Sequence, residues 1–87
     1  MDIRECLPKT SLYVCDMVID GIIFPVYQTR KTIYIVYGNS LYGKRVDDIE
    51  HFNMRADIRK NIISEFCEDI LTEKKEKYLK YCLDYSK

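Results

Sequence analysis

The sequence predicts an α+β fold in which a small antiparallel sheet of three to four strands packs against a C-terminal helix. Apolar residues alternate with period two before residue 38, Asp20-Gly21 separates the first two alternating segments, and an apolar stripe at helical spacing follows residue 47. A chain of 87 residues has the size of one domain, so residues 1–87 are expected to share a single core.

The strands are expected at about 11–19, 22–28, 32–37 and 41–46. The last of these segments is either a short fourth strand or a loop that leads into the helix. Asp20-Gly21 predicts a two-residue hairpin because both positions tolerate positive φ. Pro25 is the awkward residue of the second strand because it cannot donate to a ladder. Either this strand bulges at Pro25, or the strand order leaves one side of Pro25 open.

The helix is expected at about 48–71. Asp47, followed three residues later by Glu50, has the form of a capping box that marks the start of a helix. The apolar stripe of this helix should face one side of the sheet. Together, the strand and helix periods predict a core made of Tyr13, Cys15, Met17, Ile19, Ile33, Ile35, Ile49, Phe52, Ile63, Phe66, Cys67 and Ile70.

Two structures fit the residues that follow this helix. After the polar run 72–77, helical spacing returns at Tyr78, Tyr81, Cys82 and Tyr85. Further helix is therefore expected at about 73–85. In the first structure Thr72 caps a second helix that folds back on the sheet. In the second, one helix of roughly 55 Å continues beyond the sheet and needs a second copy or another protein to cover it. We prefer the break.

The composition points away from catalysis and from bound cofactors. The four cysteines form no C-x-x-C pair and His51 is the one histidine, so neither a metal nor a cofactor is expected, and the cysteines are interpreted as free thiols. The sequence has no recognisable catalytic motif, which predicts a non-enzymatic protein.

The sequence also has no apolar run of about 20 residues and no secretory signal at its start. We therefore expect no membrane contact and an intracellular location, in the cytoplasm or nucleus of a host cell.

Two short segments loosely match a nuclease motif. Gly21-Ile22-Ile23 and the run from Tyr34 to Gly38, followed by Arg45, loosely resemble the paired strands and catalytic arginine of the GIY-YIG nuclease family. The chain departs from that pattern because Ile23 stands at the position of the first tyrosine and Arg45 precedes the expected helix. We therefore assign the chain to no family.

The favoured functional hypothesis is binding to another protein. Eight tyrosines in so short a chain exceed what its core can hide, and tyrosine is favoured at protein interfaces. The partner-binding residues are expected to be Tyr27, Tyr42, Tyr78, Tyr81 and Tyr85. A composition rich in Ile, Tyr, Lys and Asp is common in viral and phage proteins, so we expect a small factor that inhibits or redirects a host protein. Self-association as a homodimer is a further alternative.

The alternative hypothesis is a small nucleic-acid-binding module. Arg30 and Lys31 are expected at one hairpin tip, and Lys44 and Arg45 at another turn. These four cations would form a basic rim, with nearby tyrosines available to stack on bases. The formal net charge is zero, so the whole molecule is not expected to attract nucleic acid non-specifically.

Overall fold

The α+β arrangement is confirmed. The computed structural model describes residues 3–46, 56–74 and 79–82. A short 3₁₀ helix leads into a sheet, which the main helix follows. In chain order the elements are the 3₁₀ helix Ile3–Cys6, β1 (Leu12–Ile19), β2 (Ile22–Gln28), β3 (Thr32–Tyr37), β4 (Ser40–Arg45), α1 (Ala56–Leu71) and β5 (Leu79–Cys82). The expected start of the helix, the capping box, Ile49 and Phe52 all lie outside the described residues.

The strands form one antiparallel meander in the order β1-β2-β3-β4-β5. Asp20 and Gly21 both have positive φ, at 53° and 77°, so the predicted two-residue hairpin turn is confirmed. Gly38 has a φ of 61° and begins the tight turn between Tyr37 and Ser40, which are paired. The segment at 41–46 is thus a strand rather than a loop.

Pro25 lies where two strand ladders part. It is paired with Asp16 of β1, but the ladder between β2 and β3 covers Val26 to Gln28 on the β2 side. The missing N–H therefore removes no bond from the β2–β3 ladder. The bulge expected at Pro25 is not found, whereas the other expected arrangement is, because the β2–β3 ladder begins only after Pro25. A bulge lies instead in the neighbouring strand, where Tyr13 is opposite Tyr27 and Cys15 is opposite Val26, which makes Val14 the extra residue.

The main core lies between the sheet and α1. Its buried residues are Phe24, Val26, Ile33, Ile35, Tyr42, Ile63, Phe66, Cys67 and Ile70. The predicted core positions on β3 and α1 are thus confirmed. Cys15, Met17 and Ile19 are partly buried against this cluster. Phe24 and Val26 are absent from the predicted core, because Pro25 indicated an edge strand, whereas β2 lies between β1 and β3.

The prediction that Tyr13 belongs to this core is wrong. Its side chain is 57% exposed and its ring contacts the ring of Tyr27 on the other face of the sheet. The extra residue Val14 explains the difference, because strand side chains alternate and one inserted residue reverses that alternation. Val14 and Cys15 both pack towards the helix, and Tyr13 is turned to the opposite face.

A second, smaller cluster covers part of that opposite face. Ile3 from the 3₁₀ helix is buried together with Tyr34, Val36 and Leu41. Tyr34 lies over Gly43, where an added Cβ would come within 3.1 Å of the tyrosine ring. The 3₁₀ helix therefore covers β3 and β4, whereas the same face of β1 and β2 has no comparable cover among the described residues.

The break after α1 is confirmed, but the expected helix at 73–85 is wrong where the chain is described. Glu73 has a φ of 66°, its N–H donates to Ile70 O, and the N–H of Lys74 donates to Asp69 O at 2.9 Å. This pair of bonds is a Schellman motif, which ends a helix. Residues 79–82 then form β5, which pairs with β4, so they are neither a second helix nor an extension of α1.

Thr72 also differs from its expected role. Its Oγ1 donates to the carbonyl of Glu68 at 2.9 Å, so it satisfies the C-terminal end of α1 rather than capping a new helix. The side-chain bond and the left-handed residue that follows it together fix the point at which α1 stops.

Replacing Glu73 with glycine should stabilise the protein by about 1 kcal/mol, because a side chain in the left-handed region is disfavoured by about 1–2 kcal/mol. Urea unfolding monitored by circular dichroism measures the change. Glu73→Ala is the control, because it removes the carboxylate but keeps Cβ. Equal stability of the glycine and alanine variants would mean that the left-handed conformation of Glu73 is incorrect.

Candidate functional site

The part of the sheet that none of the described residues covers forms a surface on β1 and β2, which we call the open face. Three cross-strand pairs run along it: Tyr13 with Tyr27, Asp16 with Pro25, and Val18 with Ile23. The reversed alternation at Val14 places Tyr13, Asp16 and Val18 on the same side of β1. The open face is therefore defined by Tyr13, Asp16, Val18, Ile23, Pro25 and Tyr27.

Side chains of the open face are unusually accessible for their type. Val18 and Ile23 are each 59% exposed although they are directly opposite neighbours. Single exposed apolar side chains are normal on a protein surface, whereas a contiguous group indicates a contact site. Tyr13, which is 57% exposed, adds a third accessible apolar side chain towards the start of β1.

One charged group lies within the open face. Asp16 is exposed and accepts a hydrogen bond from the Tyr13 hydroxyl, which raises the pKa of Tyr13 above its usual value of 10.0. The open face therefore favours a ligand that offers apolar side chains together with a cation.

Of the predicted partner-binding tyrosines, Tyr27 and Tyr42 have described side chains, and these lie on opposite faces of the sheet. Tyr42 is 1% exposed in the main core, where it lies opposite Ile35, so its ring is not at a surface. Tyr27 is half-buried and belongs to the open face. Tyr81 lies in β5, paired with Leu41, which removes the helical stripe on which its role was based. Tyr78 and Tyr85 are outside the described residues.

The four predicted cations are brought to one end of the sheet, which we call the basic end. Arg30 and Lys31 form the turn between β2 and β3, and Lys44 and Arg45 end β4. Because β3 and β4 are paired, Arg45 lies opposite Thr32 next to that turn. Arg45 is thus on a strand, which further separates the chain from the helix-borne arginine of the GIY-YIG pattern.

Two thiols beside the main core, Cys15 and Cys67, are not activated nucleophiles. Burial raises the pKa of Cys67 to about 12, and burial also raises the pKa of Cys15 despite the opposing effect of the Arg59 and Lys60 cations. A reactive cysteine needs a lowered pKa, so neither group is suited to nucleophilic catalysis at neutral pH. Cys6, Cys15 and Cys67 are free thiols.

Within residues 3–46, 56–74 and 79–82, no group of three or more His, Cys, Asp or Glu residues is arranged to hold a metal ion. No helix in these segments combines the length and apolar character needed to cross a bilayer.

The chain matches no protein-family model, no curated protein and no solved structure.

Iodoacetamide at pH 8 should label Cys6 rapidly and leave Cys67 unmodified in the folded protein, because a thiol with a pKa near 12 is almost entirely protonated there and is also buried. Peptide mapping by mass spectrometry reads out each cysteine separately. In 8 M urea, used as the control, both thiols should be labelled at similar rates. Labelling of Cys67 as fast as that of Cys6 without urea would contradict its assigned burial.

Proposed function

We propose that this protein is a small non-enzymatic interaction module that binds another protein through the open face. The observation that carries the proposal is the pair Val18 and Ile23, two opposed apolar side chains that are both more than half exposed. A protein normally buries such a pair or covers it with a partner. The compositional bias extends the proposal to a viral or phage-encoded factor that inhibits or redirects a host protein.

The size of the open face indicates how a partner would use it. Three large side chains that are more than half exposed present roughly 300 Å² of apolar surface, within the range of functional patches on monomeric proteins. A stable interface of standard size buries about 800 Å² on each partner, so the open face would supply the central contact and not the whole interface. Tyr13, with its wide ring and few rotatable bonds, is the strongest anchor.

Charge indicates the chemistry of that partner. Asp16 lies between the Tyr13 and Val18 ends of the open face and is exposed. A partner segment with Lys or Arg between apolar side chains would pair the cation with this carboxylate and pack its apolar groups on either side. A second copy of this chain fits less well, because two apposed open faces bring two Asp16 carboxylates towards each other.

Selection of peptides from a random displayed library on the immobilised protein tests the proposal. The selected peptides should share a Lys or Arg flanked by apolar residues. Val18→Thr with Ile23→Thr should weaken their binding at least 10-fold, because threonine keeps the β-branched shape but removes apolar contact. Isothermal titration calorimetry measures the affinity.

The matched control is Leu12→Thr with Ile58→Thr, which removes two exposed apolar side chains from other parts of the surface. This control should bind the selected peptides like the unmodified protein. Equal weakening by both double variants, or selection of acidic peptides, would refute the open face as the site. Light scattering that showed a dimer lost in the Val18/Ile23 variant would identify the partner as a second copy and overturn the proposal of a different protein.

Replacing Asp16 with asparagine should weaken binding of the same cationic peptides by about 2- to 5-fold, since an exposed charge pair contributes up to about 1 kcal/mol. The loss should disappear at 1 M NaCl, where screening reduces the contribution of the carboxylate. Calorimetry at two salt concentrations measures this. An unchanged affinity at low salt would show that Asp16 does not contact the partner.

A further inference from the structure

The strand β1 is the outermost strand on one side of the sheet. The order β1-β2-β3-β4-β5 puts β2 on one of its sides, and none of the described residues pairs with the other side. We call this unpaired side of residues 15–19 the outer edge. The N–H and C=O groups along an unpaired strand edge are a template on which another strand can form hydrogen bonds.

The register of the β1–β2 hairpin shows which main-chain groups point to the outer edge. Ile19 and Ile22 flank the two-residue turn and therefore exchange hydrogen bonds, and bonded and non-bonded pairs alternate from there along the hairpin. This alternation places Asp16 and Val18 in non-bonded pairs. The residue opposite Asp16 is Pro25, whose missing N–H agrees with such a pair. The N–H and C=O groups of Asp16 and Val18 therefore point away from β2, to the outer edge.

The outer edge lacks most of the features that keep edge strands apart. Natural edge strands are protected by Lys, by Pro or by a bulge. The strand Leu12–Ile19 contains no Lys, Arg or Pro, and its one charged residue is Asp16. The bulge at Val14 interrupts the ladder near the start of β1, whereas residues 15–19 are in regular register with β2. An added strand would therefore find regular main-chain geometry along residues 15–19.

A groove lies beside the outer edge on the helix side of the sheet. It is an open depression of about 550 Å³, and the described residues that line it include Cys15 and Met17 of β1 and Arg59, Lys60 and Ile63 of α1. A strand added to the outer edge would direct every second side chain into this groove and the others onto the open face. The cations of α1 disfavour Lys or Arg in the groove, whereas Asp16 favours a cation on the open face.

We propose that the outer edge binds an extended segment of the partner protein as an additional strand beside β1. This inference rests on the proposed function, because the same segment would lie on the open face. In strand addition the main-chain bonds supply affinity and alternate side chains supply specificity. A segment of about five residues would match residues 15–19. It would carry Lys or Arg opposite Asp16 and apolar side chains at the two neighbouring positions, which face the groove.

Strand addition also supplies contact area that the open face lacks. The open face alone is smaller than one side of a standard interface, which buries about 800 Å² on each partner. An added strand would cover the groove as well as the side chains of Asp16 and Val18. Both surfaces would then be engaged by one continuous segment, because the residues whose main chain points to the outer edge also carry side chains of the open face.

Amide hydrogen exchange measured by NMR tests the proposal with the tightest-binding peptide from the displayed library, synthesised with blocked termini. In the protein alone, the amides of Asp16 and Val18 should exchange about 10-fold or more faster than those of Met17 and Ile19, which donate to β2. Saturation with the peptide should slow exchange at Asp16 and Val18 by about 10-fold, and by more than at Met17 and Ile19.

Methylation of the peptide amide nitrogens, one position at a time, tests strand pairing from the side of the ligand. Each methyl group removes one main-chain donor and leaves every side chain unchanged. Strand addition predicts about 10-fold weaker binding at every second position and little change at the positions between, which are the matched controls. Calorimetry measures each affinity. Equal losses at consecutive positions, or no loss at any, would contradict strand addition.

Two substitutions at Val18 separate main-chain bonding from side-chain contact. Val18→Pro removes the outward N–H and no bond to β2, as is tolerated in an edge strand. Val18→Ala keeps this N–H but has the smaller apolar side chain. Side-chain contact alone predicts that the proline variant binds the peptide at least as tightly as the alanine variant, whereas strand addition predicts about 10-fold weaker binding. Thermal unfolding shows whether both variants are folded, and the methylated peptides decide the question if the proline variant is not.

The outcomes separate this inference from the proposed function. Peptides that need the side chains of Val18 and Ile23, but show no alternation on methylation and no slowed exchange at Asp16, would overturn strand addition and leave the open face as the contact site. Failure to select any peptide would overturn both proposals. Slow exchange at Asp16 and Val18 in the protein alone would mean that the outer edge is already covered, and a dimer in light scattering would then identify a second copy as the added strand.

Discussion

The extra residue at Val14 is the constraint on which the two faces of the sheet depend. Without it, Tyr13, Cys15, Met17 and Ile19 would share one side of β1, and the tyrosine ring would lie under the helix. With it, Val14 and Cys15 pack towards α1 while Tyr13 joins Val18 on the other side. A single inserted residue thereby creates the aromatic end of the open face. It also interrupts the ladder near the start of an edge strand, which discourages pairing with another chain there.

The parting of β2 and β3 determines what lies at each end of the molecule. Between the Asp20-Gly21 turn and Val26, β2 is paired with β1 but not with β3. The apolar pair Val18 and Ile23 in this part of the hairpin is exposed. Phe24 still stacks against Tyr37 at a ring separation of 5.4 Å, so the two hairpins remain joined on the helix side. At the other end, β3 stays paired with β2 and with β4 up to the turn that contains Arg30 and Lys31. Lys44 and Arg45 therefore lie at the same end of the sheet as Arg30 and Lys31. The same meander therefore separates an apolar surface from a basic one.

Local signals in the sequence were sufficient for most of the fold. The period of two, the Asp20-Gly21 turn and the helical stripe identified four strands and the end of α1, because each depends on residues close in sequence. The fifth strand was missed for a physical reason. Leu79–Cys82 is a segment of four residues whose tyrosines also fit a helical period, and only its pairing with β4, about 40 residues earlier, decides its conformation.

The candidate sites were predictable to different degrees. Arg30 and Lys31 were recognisable as turn residues, whereas only the β3–β4 pairing shows that Lys44 and Arg45 lie on a strand that ends next to that turn. The open face was not recognised, because alternation in β1 assigns Tyr13 to the core and no local signal marks the bulge at Val14. Tyr42 shows the opposite error: a tyrosine on a short strand before the helix resembles a surface residue, but its side chain is buried in the core between the sheet and α1.

Nuclear Overhauser contacts of the Tyr13 ring test the reversed alternation of β1 most directly. We expect contacts between the ring protons of Tyr13 and those of Tyr27, because the two ring centres are 5.6 Å apart. We expect none between the Tyr13 ring and the methyl groups of Ile63 on α1. Contacts from Tyr13 to Ile63, with none to Tyr27, would place the ring under the helix and contradict both the bulge and the open face built on it.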